Sequence, residues 1–251
     1  MPWARAGGVA ATLSALFVAW QAAAWLVGSE VLPGPGAVTV AFIRGLVGGD
    51  LARDMGMSAY RVVVSVALSV ATAAPLGLAL GLSRTAYRLT APLVYLTFPV
   101  PKIVLLPILL MFLGIGDSSK IAVIFLILFS QVLVVVRDAA ASVRPELALS
   151  VRSLGASWRQ MLRYVFLPAS LPALLTALRI SVGTAIAVLF FVESFGTTSG
   201  LGYYILVKGW GRLAYVDMYA GVLAMALLGL ALYFSLELLE RRTCGWLQAG
   251  R

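Results

Sequence analysis

The run 121–170, IAVIFLILFSQVLVVVRDAAASVRPELALSVRSLGASWRQMLRYVFLPAS, joins two unlike kinds of sequence. From Ile121 to Val136 there is no ionisable side chain, and Arg137 closes the run. A stretch that is uncharged and mostly apolar and ends on a basic residue reads as a short membrane span, predicted over 120–136. Residues 138–170 then form one long cytoplasmic segment with the punctuation of two helices. Pro145 suits a first helical position, and Glu146 beside it complements the positive end of the helix dipole. Gly155 supplies a C-terminal stop, and Ser157-Trp158-Arg159-Gln160 reads as a capping box that restarts a helix. Leu167-Pro168 and Leu171-Pro172 mark the way back into apolar sequence. The expectation is a helix, a tight turn and a second helix, displayed as a knuckle between two spans.

The same alternation continues outward in both directions. A span is predicted at 62–83, ended by Arg84 and Arg88. The next, 89–115, carries Lys102 and four prolines, Pro92, Pro99, Pro101 and Pro107, so it should be kinked or partly broken. Beyond the knuckle lie spans at 171–193, with Arg179 inside it, and at 217–237, followed by Glu240, Arg241 and Arg242. An apolar stretch at 8–27 is too long for a usual signal-peptide core and has Trp20 and Trp25 where interface aromatics belong, so a retained helix is preferred to a cleaved leader, although Ala22, Ala23 and Ala24 mimic a cleavage site. The loop 31–60, opened by Leu32-Pro33-Gly34-Pro35-Gly36, is expected to be an outside connection with a short helix along the membrane. In it Glu30, Asp50 and Asp54 balance Arg44, Arg53 and Arg61. The chain, 1–251, is thus expected to be a single transmembrane domain of the all-α class, a polytopic membrane protein with about six transmembrane helices.

Composition agrees. Of 251 residues, 61% are hydrophobic and 12% charged, where soluble domains carry about a quarter charged. The net charge of +9 is not a nucleic-acid footprint, because the basic residues flank apolar blocks as the positive-inside rule requires. They are more numerous on the segments carrying Arg5, Arg84, Arg88, Arg137, Arg144, Arg152, Arg159, Arg163, Arg241, Arg242 and Arg251 than on those between. Both termini are therefore expected on the cytoplasmic side of a bacterial-type inner membrane. There is no histidine and one cysteine, Cys244, which removes internal disulfides, histidine metal sites and histidine-activated nucleophiles. No catalytic or metal-binding residue is expected. An intramembrane serine protease would lack its base, and a diaspartyl protease would have Asp217 alone near a span.

Spacing alone leaves two readings of the knuckle open: a docking element for a cytoplasmic partner, or an amphipathic helix on the bilayer with Arg152, Arg159 and Arg163 at the headgroups. Resemblance separates them. Arg152-Ser153-Leu154-Gly155-Ala156-Ser157 with Val165-Phe166-Leu167-Pro168 resembles the "EAA" loop of ABC-importer permeases, in which Glu-Ala-Ala is followed by a glycine and then by Ile-x-Leu-Pro. Here Leu149-Ser150-Val151 stand at the Glu-Ala-Ala positions, a departure, while the glycine and the Leu-Pro are in place. The resemblance runs over most of the chain. Pro99-Val100-Pro101-Lys102, Pro107 and Phe112-Leu113-Gly114-Ile115-Gly116 look like the third span of the nitrate, sulfonate and taurine group of these permeases. Glu193-Ser194-Phe195-Gly196 and Ser199-Gly200-Leu201-Gly202-Tyr203 look like that group's outer loop.

The resemblance implies a type I ABC importer permease fold, with a second permease copy, two cytoplasmic ATPases and an extracytoplasmic binding protein as partners. It implies an ATPase-coupling loop made of Ser150, Val151, Arg152, Gly155, Ala156, Ser157, Leu167 and Pro168. A homodimer is the simpler arrangement, since one knuckle per chain calls for two chains if there are two ATPases. The chain has no Gly-x-x-x-x-Gly-Lys-Ser/Thr cradle, so ATP and Mg would be used by the partner ATPase and no cofactor is expected here. The favoured cargo is a small anion such as nitrate, a sulfonate, taurine or bicarbonate. Ionisable residues within spans are costly and often functional, which makes Lys102 and Glu193 candidates for a translocation path or gate. Against this, Lys102 could snorkel and either group could satisfy a helix end. Gly183 and Thr184 are candidates for the same path, because small residues let helices approach and a hydroxyl can face a pore. The alternative reading is a self-sufficient secondary transporter or channel, which predicts inverted repeats that the sequence does not display.

Overall fold

Glycines and prolines decide where the helices begin and end in the computed structural model, which describes residues 2–245. Helix α1 (Pro2–Val27) stops at Gly28, which takes φ 99°. Pro35 then starts α2 (Pro35–Val47), and Trp20 Nε1 of α1 donates to Pro33 O at 3.1 Å just before it. Gly49, at φ 88°, separates α2 from α3 (Asp50–Leu82). The expected loop 31–60 is therefore mostly helix, and the helix of the second span begins at Asp50 rather than at residue 62. The reason is local: Gly48 and Gly49 make the break, and Asp50 sits in the first turn, where an acidic side chain favours a helix start.

The third apolar stretch is broken. Helix α4 (Arg84–Thr97) is followed by Pro99 and Pro101, a 3-10 turn at Lys102–Leu105, and α5 (Leu106–Leu113). The two halves are bent by 76°, as the prolines of the sequence require. Helix α6 (Asp117–Ala141) runs past Arg137, where the span was expected to close. Arg137 stays inside the helix because its charge is met locally: its guanidinium is 2.8 Å from Asp138 Oδ1 and lies 4.5 Å from the Tyr87 ring.

After α7 (Pro145–Ser153) and the short α8 (Trp158–Met161), a π turn at Leu162–Phe166 leads into α9 (Leu167–Ser194). At Leu167-Pro168, which mark the way back into apolar sequence, the helix is not interrupted and continues as a span-length element over Trp158–Ser194. Proline removes an N–H and crowds the carbonyl four residues back. The π turn immediately before Pro168 takes up that misfit, so the chain passes through it without a stop. A short α10 (Leu201–Tyr203) and irregular turns follow, then α11 (Tyr215–Thr243), with Arg241 and Arg242 in its last turn. Five of these helices are long and apolar enough to cross a membrane, or six if the bent pair counts as one span. Arg251 and the side chain of Arg5, used above for orientation, lie outside the described residues.

The chain forms two compact units. One comprises the residues up to Ser58 together with Glu193–Leu227, the other Ala59–Val192 together with the residues from Leu228 onward. In the second unit α3 and α6 approach very closely. A Cβ at Gly77 would lie 2.9 Å from Leu133 O, and one at Gly81 would lie 2.8 Å from Ala140 Cβ. Ser65 and Ser69 extend the same seam, their hydroxyls 3.2 and 3.3 Å from Ile121 O and Phe125 O. Small residues let backbones meet where no water is available to solvate a gap. Around that seam Ala73, Leu78, Val132, Val136, Leu174 and Leu178 form a buried apolar cluster.

Candidate functional site

The knuckle is built as its sequence punctuation demands. Pro145 opens α7 with Glu146 in the first turn, and Gly155 ends it at φ 82°, donating its N–H to Arg152 O at 3.0 Å. A Cβ at 155 would meet nothing within 4 Å, so glycine is required there by backbone conformation and not by space. The capping box is complete: Gln160 N–H donates to Ser157 Oγ at 3.4 Å and Ser157 N–H donates to Gln160 Oε1 at 2.7 Å. Helix α8 is held from beneath, with Met161 and Phe166 buried and the Trp158 ring 5.9 Å from Phe166. The outer surface of the knuckle is open and mixed: Leu149 is 63% exposed, Leu154 86% and Trp158 58%, among exposed polar side chains that include Arg152 and Arg159. Of the residues expected to form a coupling loop, Ser150, Val151 and Arg152 occupy the end of α7, and Gly155, Ala156 and Ser157 form the turn. Leu167 and Pro168 stand apart, beyond the π turn on α9.

A cavity of about 340 Å³ lies in the second unit, where the broken third span faces α6 and α9. Phe98 and Lys102 line it from the break, Ser130 and Gln131 from α6, and Thr184 and Phe191 from α9. A second cavity of about 220 Å³ shares Phe98, Gln131 and Thr184 with it and continues past Ile180 and Ser181. The α9 residues recur at three- and four-residue steps, so both cavities follow one face of that helix. Lys102 Nζ donates to Thr97 O and Phe98 O, each at 3.0 Å, and so caps the last carbonyls of α4. Ser130 and Ser181 donate to the carbonyls of Leu126 and Ala177 in their own helices. Gln131 Oε1 is buried without a hydrogen-bond partner. Gly183 lines neither cavity, and a Cβ on it would meet nothing within 4 Å.

Glu193 lies elsewhere, in the first unit, and is fully buried. The Ser58 hydroxyl is 2.9 and 2.7 Å from its two carboxyl oxygens, and Gly202 N–H donates to Oε2 at 3.0 Å. Leu201 N–H donates to Ser58 Oγ at 2.8 Å and Gly200 N–H to Asp54 Oδ1 at 2.9 Å. Lys208 Nζ closes the set 2.9 Å from Asp54 Oδ2. Three successive backbone N–H groups, at 200, 201 and 202, are thus fixed by three side chains of two helices. Glu193 anchors a loop and lines neither of the cavities described above. The charge balance expected within the loop 31–60 is also different: Asp54 pairs with Lys208, and the buried Arg61 with Asp117 of α6 at 2.7 Å. Arg179 is paired with Glu240 of α11 at 3.1 Å.

The family described as "Binding-protein-dependent transport system inner membrane component" matches residues 73–244. The chain belongs to that family. It is the membrane-spanning permease of an ABC importer. It is 32% identical over 243 residues to the taurine transport system permease protein TauC of Escherichia coli (strain K12), covering 94% of this chain and 88% of the relative. To the putative aliphatic sulfonates transport permease protein SsuC of Bacillus subtilis (strain 168) it is 29% identical over 238 residues, covering 93% and 86%. Its fold matches a chain of the inward-facing MetNI methionine ABC transporter with a TM-score of 0.65 at 20% identity, over 77% of this chain and 95% of that one.

Sequence reading of the permease missed Asp54, Ser58 and Gln131. A signal for the first two exists: Asp54, Ser58, Arg61, Ser65 and Ser69 recur at three- and four-residue steps on α3 and all are buried, a polar stripe along one face of a largely apolar helix. Nothing in the sequence marks Gln131 beyond its being a polar residue within a span.

Proposed function

We propose that this permease is one half of a homodimeric membrane core that imports a small oxyanion-bearing solute, a sulfonate or taurine being favoured, delivered by an extracytoplasmic binding protein. Two cytoplasmic ATPases dock on the knuckle and carry ATP and Mg; this chain is not itself a catalyst, and both its termini are cytoplasmic. The names of the two relatives support the substrate class. The observation that supports the docking role is the knuckle itself: a turn set by Gly155 and a full capping box, bearing Leu149, Leu154 and Trp158 bare. Exposed apolar side chains on a rigid turn suit a protein groove. Such a turn transmits rigid-body motion, so closure of the ATPase dimer would favour one of two conformers of the permease pair. The solute path runs along the face of α9 and the break in the third span, past Lys102 and Thr184; Glu193 acts as a loop anchor.

Replacing Gly155 by tryptophan tests this. A bulky side chain at a positive φ costs on the order of 1–2 kcal/mol in backbone conformation and adds a ring to the docking turn. ATPase co-purification should fall at least tenfold while membrane insertion and yield stay at the wild-type level. Undiminished co-purification sinks the docking role.

A further inference from the structure

A third cavity, of about 240 Å³, belongs wholly to the second unit. Val63 and Ala67 of α3, Leu128 of α6, Ala185 of α9, and Ser235 and Leu236 of α11 line it. It is buried at Leu128 and Ala185, while Val63, Ala67 and Ser235 stand exposed, so it is a groove open between α3 and α11. No ionisable group lines it, and the hydrogens of its two hydroxyls are spent: Ser181 donates to Ala177 O at 2.7 Å and Ser235 to Ala231 O at 2.6 Å. Bound water needs several polar partners, and this groove offers little beyond hydrocarbon. Both cavities of the proposed path lie on another face of α9: Thr184, Ala187 and Phe191 line them, whereas Leu178, Val182 and Ala185 line the groove.

On α11 the same face runs on from Leu232 and Ser235 through the exposed Leu239 to Arg242, in steps of three and four residues. Arg242 is exposed, and among the described residues no carboxylate pairs with it, whereas Arg241 beside it pairs with Glu237 and Arg179 with Glu240. Arg242 lies seven positions beyond Ser235, about 10 Å along a helix. The hydrocarbon of one leaflet is roughly 15 Å deep. A phosphate at Arg242 therefore brings the chains of its lipid to the level of the groove.

We propose that the groove and Arg242 together hold one anionic phospholipid, with its phosphate on the guanidinium and one acyl chain between α3 and α11. A planar guanidinium takes two phosphate oxygens at once, and the chain supplies the apolar contacts that the groove lacks. Under the orientation proposed above, the lipid belongs to the cytoplasmic leaflet. Neither ATPase docking nor the solute is involved, so the site stands or falls apart from the import reading.

The full-length permease is reconstituted in nanodiscs of equal parts dioleoyl phosphatidylglycerol and dioleoyl phosphatidylcholine, extracted in mild detergent, and the lipids it retains are counted by native mass spectrometry. One phosphatidylglycerol per chain should be retained, about fivefold over phosphatidylcholine, the preference that one arginine near a membrane surface confers. Arg242→Ala should abolish that preference and Arg242→Lys should keep most of it. Arg241→Ala, which removes an arginine already paired, should leave it unchanged. Ala67→Phe fills the groove at its open edge and should lower retention of either lipid at least fivefold; Val63→Phe fills it one turn away and should act alike, should the first variant fail to fold. Leu68→Phe, exposed on α3 but outside the lining, should have no effect. A preference that survives Arg242→Ala, or falls equally with Arg241→Ala, reduces Arg242 to one surface charge among several and overturns the site. Retention unchanged by both groove-filling variants leaves a headgroup contact with no chain in the groove, and overturns it as well.

Discussion

Within the knuckle the side-chain hydrogen bonds are local, Ser150 to Glu146, Ser153 to Ser150 and Ser157 to Gln160. In the Asp54–Glu193–Lys208 cluster, apart from Gly202 N–H to Glu193, they join residues 135 to 154 positions apart. The exposure of the two regions is opposite as well, with Leu154 of the knuckle 86% exposed and Glu193 at 0%. Local bonds give a segment its own shape without attaching it to the remainder of the fold. Long-range bonds between buried groups attach distant segments, and their loss leaves unpaired polar atoms inside. The difference teaches that the knuckle carries its own shape, while the cluster holds distant segments together.

If that is right, the largest effect on stability should come from Glu193→Leu. It removes the acceptor of Ser58 and of Gly202 N–H together and frees the loop that the cluster fixes. A loss of about 3–5 kcal/mol is expected, as for breaking a buried polar network. Thermal unfolding of the detergent-solubilised permease reads it, and Glu193→Gln should recover much of the difference by keeping the acceptor. A Glu193→Leu chain as stable as wild type would remove the contrast altogether.

Lys208→Met should cost less. Lys208 is partly exposed, its side chain at 25%, while its partner Asp54 is almost wholly buried at 3%. The variant strands the Asp54 carboxylate with the Gly200 N–H alone. After discounting for solvent on the lysine side, about 1–3 kcal/mol is expected. Asp54→Asn with Lys208→Met should be closer to wild type than Lys208→Met alone, because the stranded charge is then gone; a double-variant cycle on melting temperature measures this.

The two regions were also unequally legible. The knuckle was readable because a helix stop, a cap and a restart are written in adjacent residues: Pro145, Gly155, Ser157 and Gln160 each act within a few positions. The spans were readable for a similar reason, since an apolar block needs no distant partner to be apolar. The cluster was not, because Ser58 and Glu193 become partners only when α3 and α9 are folded, and either residue alone reads as a polar group near a span end. The helix limits moved for a related reason. The second span's helix begins at Asp50, after the Gly48-Gly49 break, while Arg137 and Pro168 look like boundaries in isolation and are accommodated by something their own positions do not reveal: the Tyr87 ring with Asp138, and the π turn at Leu162–Phe166.

The smallest expected effect on stability belongs to the knuckle and sharpens the contrast most. Ser157→Ala removes one half of the capping box, worth about 1 kcal/mol at a helix N-terminus. That cost is confined to α8, because the turn on its far side is set independently by Gly155 and the helix continues through the π turn into α9. The melting temperature should therefore fall by no more than about 2–4 °C, the most that 1 kcal/mol gives in a chain of this size. Docking should respond more strongly, since a frayed cap lowers the fraction of knuckles already in the bound shape, and 1 kcal/mol corresponds to about a fivefold weaker association with the ATPase. Ser157→Asp keeps a side-chain acceptor for the Gln160 N–H and should restore most of it. Binding of purified ATPase to the permease in nanodiscs, measured beside the melting curve, separates the cases: weaker docking with no more than that fall is the signature of a self-shaped element, and a fall in melting temperature comparable to that of Glu193→Leu would mean that the knuckle, too, holds the fold together.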